Sequence, residues 1–265
     1  MKRLFFLMVI SSALIFNANG QGFWTGLNGP FGGEVEDIIY LGTGTMLSAT
    51  NGGLYRSTDE GSSWTRIKTG FDQFDYSLRD IEVDGAGKIY CISYSHLYTS
   101  TNDGLTWTKT NTTGFNDGRK IKIASDGDIY VSTYNSLLKS SNNGSTFANT
   151  TYVAENQITG LEVSSSSPEL VFVARRGMTI KKGTNGTSWS DASSTGFPTI
   201  NGGHEYRIAM DKASPNNLYA LTEVGHIRFL VVVAHGHQLK TTLLKQISTA
   251  IFSMGQTTCF FLTAM

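Results

Sequence analysis

Two aspartates placed alike in successive stretches of the chain, Asp75 and Asp117, have the residue type that glycosidic cleavage requires. That reaction needs two carboxyl groups about 5–9.5 Å apart across the scissile bond, one to protonate the leaving oxygen and one to attack or activate water. Glu205 is a third candidate acid. Around them, Asp72, Tyr76, Arg79, Asn116, Arg119, Arg175 and His204 mix aromatic, amide and charged side chains. Such a mixture suits a carbohydrate or peptide surface, where apolar platforms sit beside converging polar groups. Carboxylates are common in surface loops, so the pairing alone does not specify an enzyme, and a non-catalytic binding surface is the expected use.

Other chemistries find no support. The chain has no Gly-x-Ser-x-Gly elbow, and His96 and His204 are too few and too separated to argue for zinc. Asp126-Gly127-Asp128 does not open a twelve-residue calcium loop ending in Glu, so its carboxylates read as turn residues. Only Cys91 and Cys259 carry thiols, too few for a disulfide scaffold. No metal and no cofactor are expected. With 21 basic and 21 acidic side chains the net charge is zero, which argues against nucleic acid as a partner.

The elements that must position these groups are repeats. Ser57–Trp64, Ser100–Trp107, Ser140–Phe147 and Lys182–Trp189 align without gaps. Their last residues, Trp64, Trp107, Phe147 and Trp189, are spaced by 43, 40 and 42 positions, the size of one four-stranded unit. Before each window come two short apolar runs, such as Arg79–Val83 and Lys88–Ser93, or Lys120–Ala124 and Asp128–Thr133. Their alternation and β-branched content read as strands, and no helical period appears in the body of the chain. The expected fold is all-β, a propeller of four-stranded antiparallel blades. About four to five blades are present, so the ring is incomplete.

Each window reads as a turn between strands. Gly61, Gly104, Gly144 and Gly186 fit backbone with positive φ. Asp59, Asn102 and Asn142 can accept local N–H groups, and Trp64, Trp107, Phe147 and Trp189 can cover the core between sheets. The fourth copy carries Thr184 and Lys182 where the others have the carboxylate or amide and the Ser, so a looser turn is expected there. Phe71, Phe115 and Phe197, recurring ahead of each first strand, read as seals between blades.

Ser57–Trp64 and Ser100–Trp107 resemble the Asp-box, or bacterial neuraminidase repeat, Ser-x-Asp-x-Gly-x-Thr-Trp. The likeness covers roughly residues 22–222 and is shared with sialidase-like, xyloglucanase-like and sortilin-type propellers. It implies that the box turns are structural and lie on the face away from any ligand. Sialidase activity is not implied, because the family's Arg-Ile-Pro motif is missing and Arg79, Arg119, Arg175 and Arg207 do not reproduce its arginine pattern. The implied role is a secreted module that binds extracellular polysaccharide or protein; the alternative is a fragment of a glycoside hydrolase using paired carboxylates.

The ends of the chain read differently. Lys2 and Arg3, the apolar stretch to Phe16 and Ala18-Asn19-Gly20 form an export signal over residues 1–20, too short for a membrane span. Export predicts a secreted, periplasmic or cell-surface protein with no transmembrane segment after cleavage. Residues 21–224 form the repeat region. Residues 225–265 contain no Asp, Glu, Asn, Pro, Tyr or Trp, a break expected of a shifted reading frame or truncation rather than of another repeat.

Overall fold

The computed structural model describes residues 29–30, 33–72, 75, 77–110, 115–153, 156–177, 180–192, 206–210, 217–223 and 227–233. Residues 1–20, where the sequence predicts an export signal, and most of the C-terminal segment lie outside them.

Among the described residues, nineteen strands build five sheets. The first holds β1 (Val35–Gly42), β2 (Thr45–Thr50), β3 (Gly53–Ser57) and β4 (Thr65–Ile67). The second holds β5 (Leu78–Val83), β6 (Ile89–Ser93), β7 (Leu97–Ser100) and β8 (Thr108–Lys109). The third holds β9 (Lys120–Ile123), β10 (Ile129–Ser132), β11 (Ser136–Ser140) and β12 (Ala148–Val153). The fourth holds β13 (Ile158–Val163), β14 (Leu170–Arg175), β15 (Lys181–Thr184) and β16 (Thr187–Asp191). The last has three strands, β17 (Tyr206–Met210), β18 (Asn217–Glu223) and β19 (Ile227–Val233). Every sheet is an antiparallel meander in chain order, and none closes into a barrel. The fold is an incomplete β-propeller, as the repeat spacing predicts. β19 lies inside the segment whose composition breaks with the repeats, yet it pairs along its whole length with β18.

Sheets stack through their first strands, β1 on β5, β5 on β9, β9 on β13 and β13 on β17. Alternating side chains fill the joints. Leu47, Ala49 and Leu54 from the first sheet meet Leu78, Ile81, Ile89, Cys91, Tyr98 and Trp107 from the second. Burial also pushes the Cys91 thiol well up, in keeping with an inert core residue.

Charged residues on the first strands tie the same joints. Ile81 N–H donates to Asp37 at 3.3 Å, and Ile121 N–H donates to Asp80 at 2.7 Å. Lys120 meets Asp80 at 3.0 Å, and Lys122 meets Glu82 at 2.9 Å and Glu162 at 3.8 Å.

The windows form the turns between third and fourth strands. In the first, Ser57 Oγ donates to Asp59 at 2.7 Å and accepts Gly61 N–H at 2.9 Å, while Asp59 accepts Ser63 N–H at 2.8 Å. These bonds hold the Asp59 carboxyl down to about 2, the Ser63 hydroxyl contributing most. Asn102 and Asn142 reproduce the pattern through an amide oxygen, accepting Thr106 N–H at 3.0 Å and Thr146 N–H at 2.9 Å. The glycines do more than permit the turn. A Cβ on Gly104 (φ +75°) would lie 2.7 Å from both Leu47 methyls, and one on Gly144 (φ +83°) would lie 2.4 Å from a Leu97 methyl. The second and third window turns are therefore seated on the preceding sheet.

The fourth window differs. Thr184 pairs with Thr187 around Asn185 (φ 53°) and Gly186 (φ +68°), a two-residue hairpin with both central residues left-handed. The expected looser turn is a tight one, and Trp189 falls inside β16, where its ring lies 4.7 Å from that of Tyr152. Without Ser and Asp at the key positions, Asn-Gly selects the shorter connection.

Candidate functional site

A meander sends alternate connections to opposite ends of each sheet. The window turns and the β1–β2 type turns share one face; the second-to-third-strand hairpins and the loops between sheets share the other. Of the sequence candidates for ligand or catalysis, the loop residues Asp72, Asp75, Asn116, Asp117 and Arg119 fall on this second face.

Its hairpins are built alike. Ser93 N–H donates to His96 O and Thr133 N–H to Ser136 O, both at 2.9 Å. The Ser93 and Thr133 hydroxyl oxygens accept His96 N–H at 3.1 Å and Ser136 N–H at 3.0 Å. This local capping satisfies the backbone and turns the next side chain outward. Tyr94 and Tyr134 hold the equivalent tip positions in adjacent sheets, each 48% exposed. Their carbonyls anchor the following sheet, accepting Gly118 N–H at 3.0 Å and Ile158 N–H at 2.9 Å. The repeated Ser-Tyr and Thr-Tyr after the second strand could have flagged both residues; neither is among the sequence candidates.

Asp117 and Arg119 flank the Tyr134 ring. Asp117 accepts Tyr134 N–H at 3.0 Å and meets Arg119 Nε at 3.4 Å, while the Arg119 guanidinium lies 5.0 Å from the Tyr134 ring centre. Asp75 serves the second sheet. One of its oxygens takes Ser93 Oγ at 2.6 Å, His96 Nδ1 at 2.7 Å and Tyr98 Oη at 2.8 Å. Burial and this carboxylate both raise the Tyr98 pKa. Asp75 and Asp117 thus each bind the hairpin of their own sheet.

Asp72 pairs with Lys109 at 2.7 Å, which lowers its carboxyl pKa. Arg79 is half-buried on β5 with its Nε lacking a hydrogen-bond partner among the described residues. Arg175 is buried at the end of β14, and Asn116 is exposed. Tyr76, His204 and Glu205 lie outside the described residues, as does Phe197. Phe71 packs 5.4 Å from Trp107 and Phe115 packs 5.4 Å from Phe147, the sealing role expected of them. A cleft of about 350 Å³ opens between the first sheet and the loop that follows it, beside Arg66, Phe71, Asp72 and Asp75.

A second acidic group lies on the opposite face, where Asp126, Asp128 and Glu169 offer oxygens within 4.8 Å of one another. The chain supplies its own cation there. Lys139 Nζ lies 2.5 Å from Asp128 and 3.4 Å from Glu169, and Tyr130 donates to Glu169 at 2.6 Å.

With this fold, the chain belongs to the family described as the DUF6242 beta propeller domain, whose model matches residues 77–222. No curated protein matches it. Among solved structures it is similar to YCF48 bound to D1 peptide, at 15% identity and TM-score 0.56 over 76% of this chain and 64% of that one. It is similar to the extracellular domain of a one-component system from B. thetaiotaomicron, at 15% identity and TM-score 0.56 over 74% of this chain and 26% of that one. It also resembles the GH74 xyloglucanase from Xanthomonas campestris, at 16% identity and TM-score 0.51 over 76% of this chain and 44% of that one. The chain thus spans less than two thirds of each, and the likeness is one of fold.

Proposed function

We propose that this chain is a propeller unit of glycoside-hydrolase type that engages an extracellular polysaccharide through its loop face. The observation that carries the reading is the pair of equivalent, half-exposed rings Tyr94 and Tyr134, the second flanked by Asp117 and Arg119. Exposed phenol rings cover the C–H face of a sugar, while the neighbouring carboxylate, guanidinium and imidazole take its hydroxyls. The fold shared with a xyloglucanase supports a hydrolase fragment as one reading, while the fold shared with YCF48 bound to D1 peptide leaves the choice of glycan over protein to the exposed rings. In the hydrolase reading Asp75 and Asp117 are the paired carboxylates. The Ser57–Asp59–Ser63 bonding supports assigning the turns to the Asp-box class. The residue pattern of 1–20 supports an exported protein.

The test is calorimetric titration with soluble polysaccharides and sialosides, followed by a reducing-end assay. The expected result is saturable binding to a polysaccharide, weakened at least tenfold by Tyr94→Ala with Tyr134→Ala. Release of reducing ends that Asp75→Asn or Asp117→Asn abolishes establishes the hydrolase; binding without release establishes a binding module. Absence of binding to any polysaccharide overturns the proposal.

A further inference from the structure

The residue just after each second strand holds one place in the register of its sheet. Thr50, Ser93 and Arg175 end their strands paired with Val35, Leu78 and Ile158, the first residues of β1, β5 and β13. Asn51, Tyr94 and Arg176 are therefore equivalent tips, and the matching caps of Ser93 and Thr133 put Tyr134 in the same place in the third sheet. All four tips are exposed. Bonds across the joints string the first three to their neighbours. Ser77 Oγ donates to Asn51 Oδ1 at 3.4 Å, and the Tyr94 and Tyr134 carbonyls accept Gly118 N–H at 3.0 Å and Ile158 N–H at 2.9 Å. The loop face thus carries one tip per sheet in a row, Asn51, Tyr94, Tyr134 and Arg176.

The charge along this row changes sign. At the first sheet Glu34 accepts Asn51 Nδ2 at 3.4 Å. At the third, the Arg119 guanidinium lies 5.0 Å from the Tyr134 ring centre and meets Asp117 through Nε alone, at 3.4 Å. Its two outer nitrogens have no hydrogen-bond partner among the described residues. At the fourth, the exposed tip is Arg176, whose N–H donates to Gln157 O at 2.8 Å. The neighbouring carboxylates are already engaged: Asp117 by Tyr134 N–H, Asp75 by its three donors and Asp72 by Lys109. The Arg119 fork therefore keeps donors to spare beside an exposed ring, at the basic end of the row.

We infer that Tyr134, Arg119 and Arg176 form a subsite for a uronate unit, so that the polysaccharide taken by the loop face is an acidic one. The inference rests on the polysaccharide reading of that face and adds the charge of the ligand. A guanidinium is a planar fork that meets a carboxylate through two parallel bonds, and the phenol ring beside it covers the C–H face of the sugar. A neutral sugar leaves that fork unpaired. The sign change along the row also sets a direction, with a neutral unit on Tyr94 and the carboxylate-bearing unit toward Arg119 and Arg176.

The experiment is calorimetric titration with polygalacturonate, alginate and glucuronoxylan, each beside its own carboxyl-reduced form, in which the same backbone is neutral. The wild-type chain is expected to bind an acidic polymer about tenfold tighter than its reduced form. Added salt should narrow that ratio. Arg119→Gln with Arg176→Gln should bring the ratio close to unity, whereas Tyr94→Ala should weaken both forms alike; circular dichroism confirms that each variant is folded. Equal affinity of the wild-type chain for the two forms, or a preference that survives the double arginine variant, overturns this inference and leaves the polysaccharide reading standing. Failure of every polymer to bind, acidic or reduced, overturns that reading and this inference with it.

Discussion

His96 Nδ1 lies 2.7 Å from the Asp75 oxygen that also receives the Ser93 and Tyr98 hydroxyls. One carboxylate thus fixes a hairpin tip, an imidazole and a buried phenol together. Replacing Asp75 by Ala leaves three donors without their acceptor and is expected to cost about 2–4 kcal/mol. Denaturant unfolding measures the loss, and faster amide exchange at His96 locates it. Burial raises Tyr98 most and its hydrogen bond to the Asp75 carboxylate next, and Asp75→Asn replaces that carboxylate with a neutral amide. Ultraviolet titration should then show one tyrosine ionising at lower pH than in the wild type.

Seating of the second and third window turns on the preceding sheet makes their glycines doubly sensitive. Gly104→Ala meets both a left-handed backbone and the Leu47 methyls, and is expected to lose about 2–4 kcal/mol. Gly87 (φ +84°) has open space around its Cβ position, so Gly87→Ala should lose only about 1 kcal/mol. In a double-mutant cycle, Leu47→Ala should absorb part of the Gly104→Ala penalty, giving a sub-additive pair.

Asn102 does the work of a carboxylate with an amide oxygen, and its Nδ2 adds a bond to Thr106 Oγ1 at 2.8 Å. Asn102→Asp should therefore change stability by under about 0.5 kcal/mol, whereas Asn102→Ala, which loses every one of these bonds, should cost about 1–2 kcal/mol. Thermal melts of the two variants check the ranking.

Asp37 gives the fold a pH dependence of defined sign. Burial first, then the neighbouring Asp80 carboxylate, raise its pKa to about 7. An unfolded aspartate ionises near about 4, so between these values unfolding releases a proton and stability falls as pH rises, levelling off above the folded value. Asp37→Asn keeps an oxygen for Ile81 N–H but carries no charge. It should gain on the order of 1–3 kcal/mol at pH 8 and nothing at pH 4, read by urea unfolding at both.

Strands and window turns were legible because they are local: alternation marks a half-buried strand, and glycine marks a corner. The second-strand runs ending at Ser93 and Thr133 fall where the pattern places them. The tyrosines just beyond were not legible as a surface, since apolar pattern does not distinguish a ring held outward by a capped hairpin from one that seals a joint. Phe115 and Tyr134 look alike in sequence, and only the packing of Phe147 against the former separates them. Asp80 reaches an amide 41 positions away, a pairing that no local window contains. The fourth window misled in the other direction, because an ungapped alignment conceals a change of turn type at Asn185-Gly186.

The aspartate ties between first strands are unevenly distributed along the chain. Asp37 and Asp80 grip the following sheet by its backbone, whereas the next two equivalent positions are Lys120 and Gly160, which have no carboxylate to offer. Pulled apart from its two ends, such an array would yield first where the grips are missing, shedding its C-terminal sheets while the N-terminal three still hold.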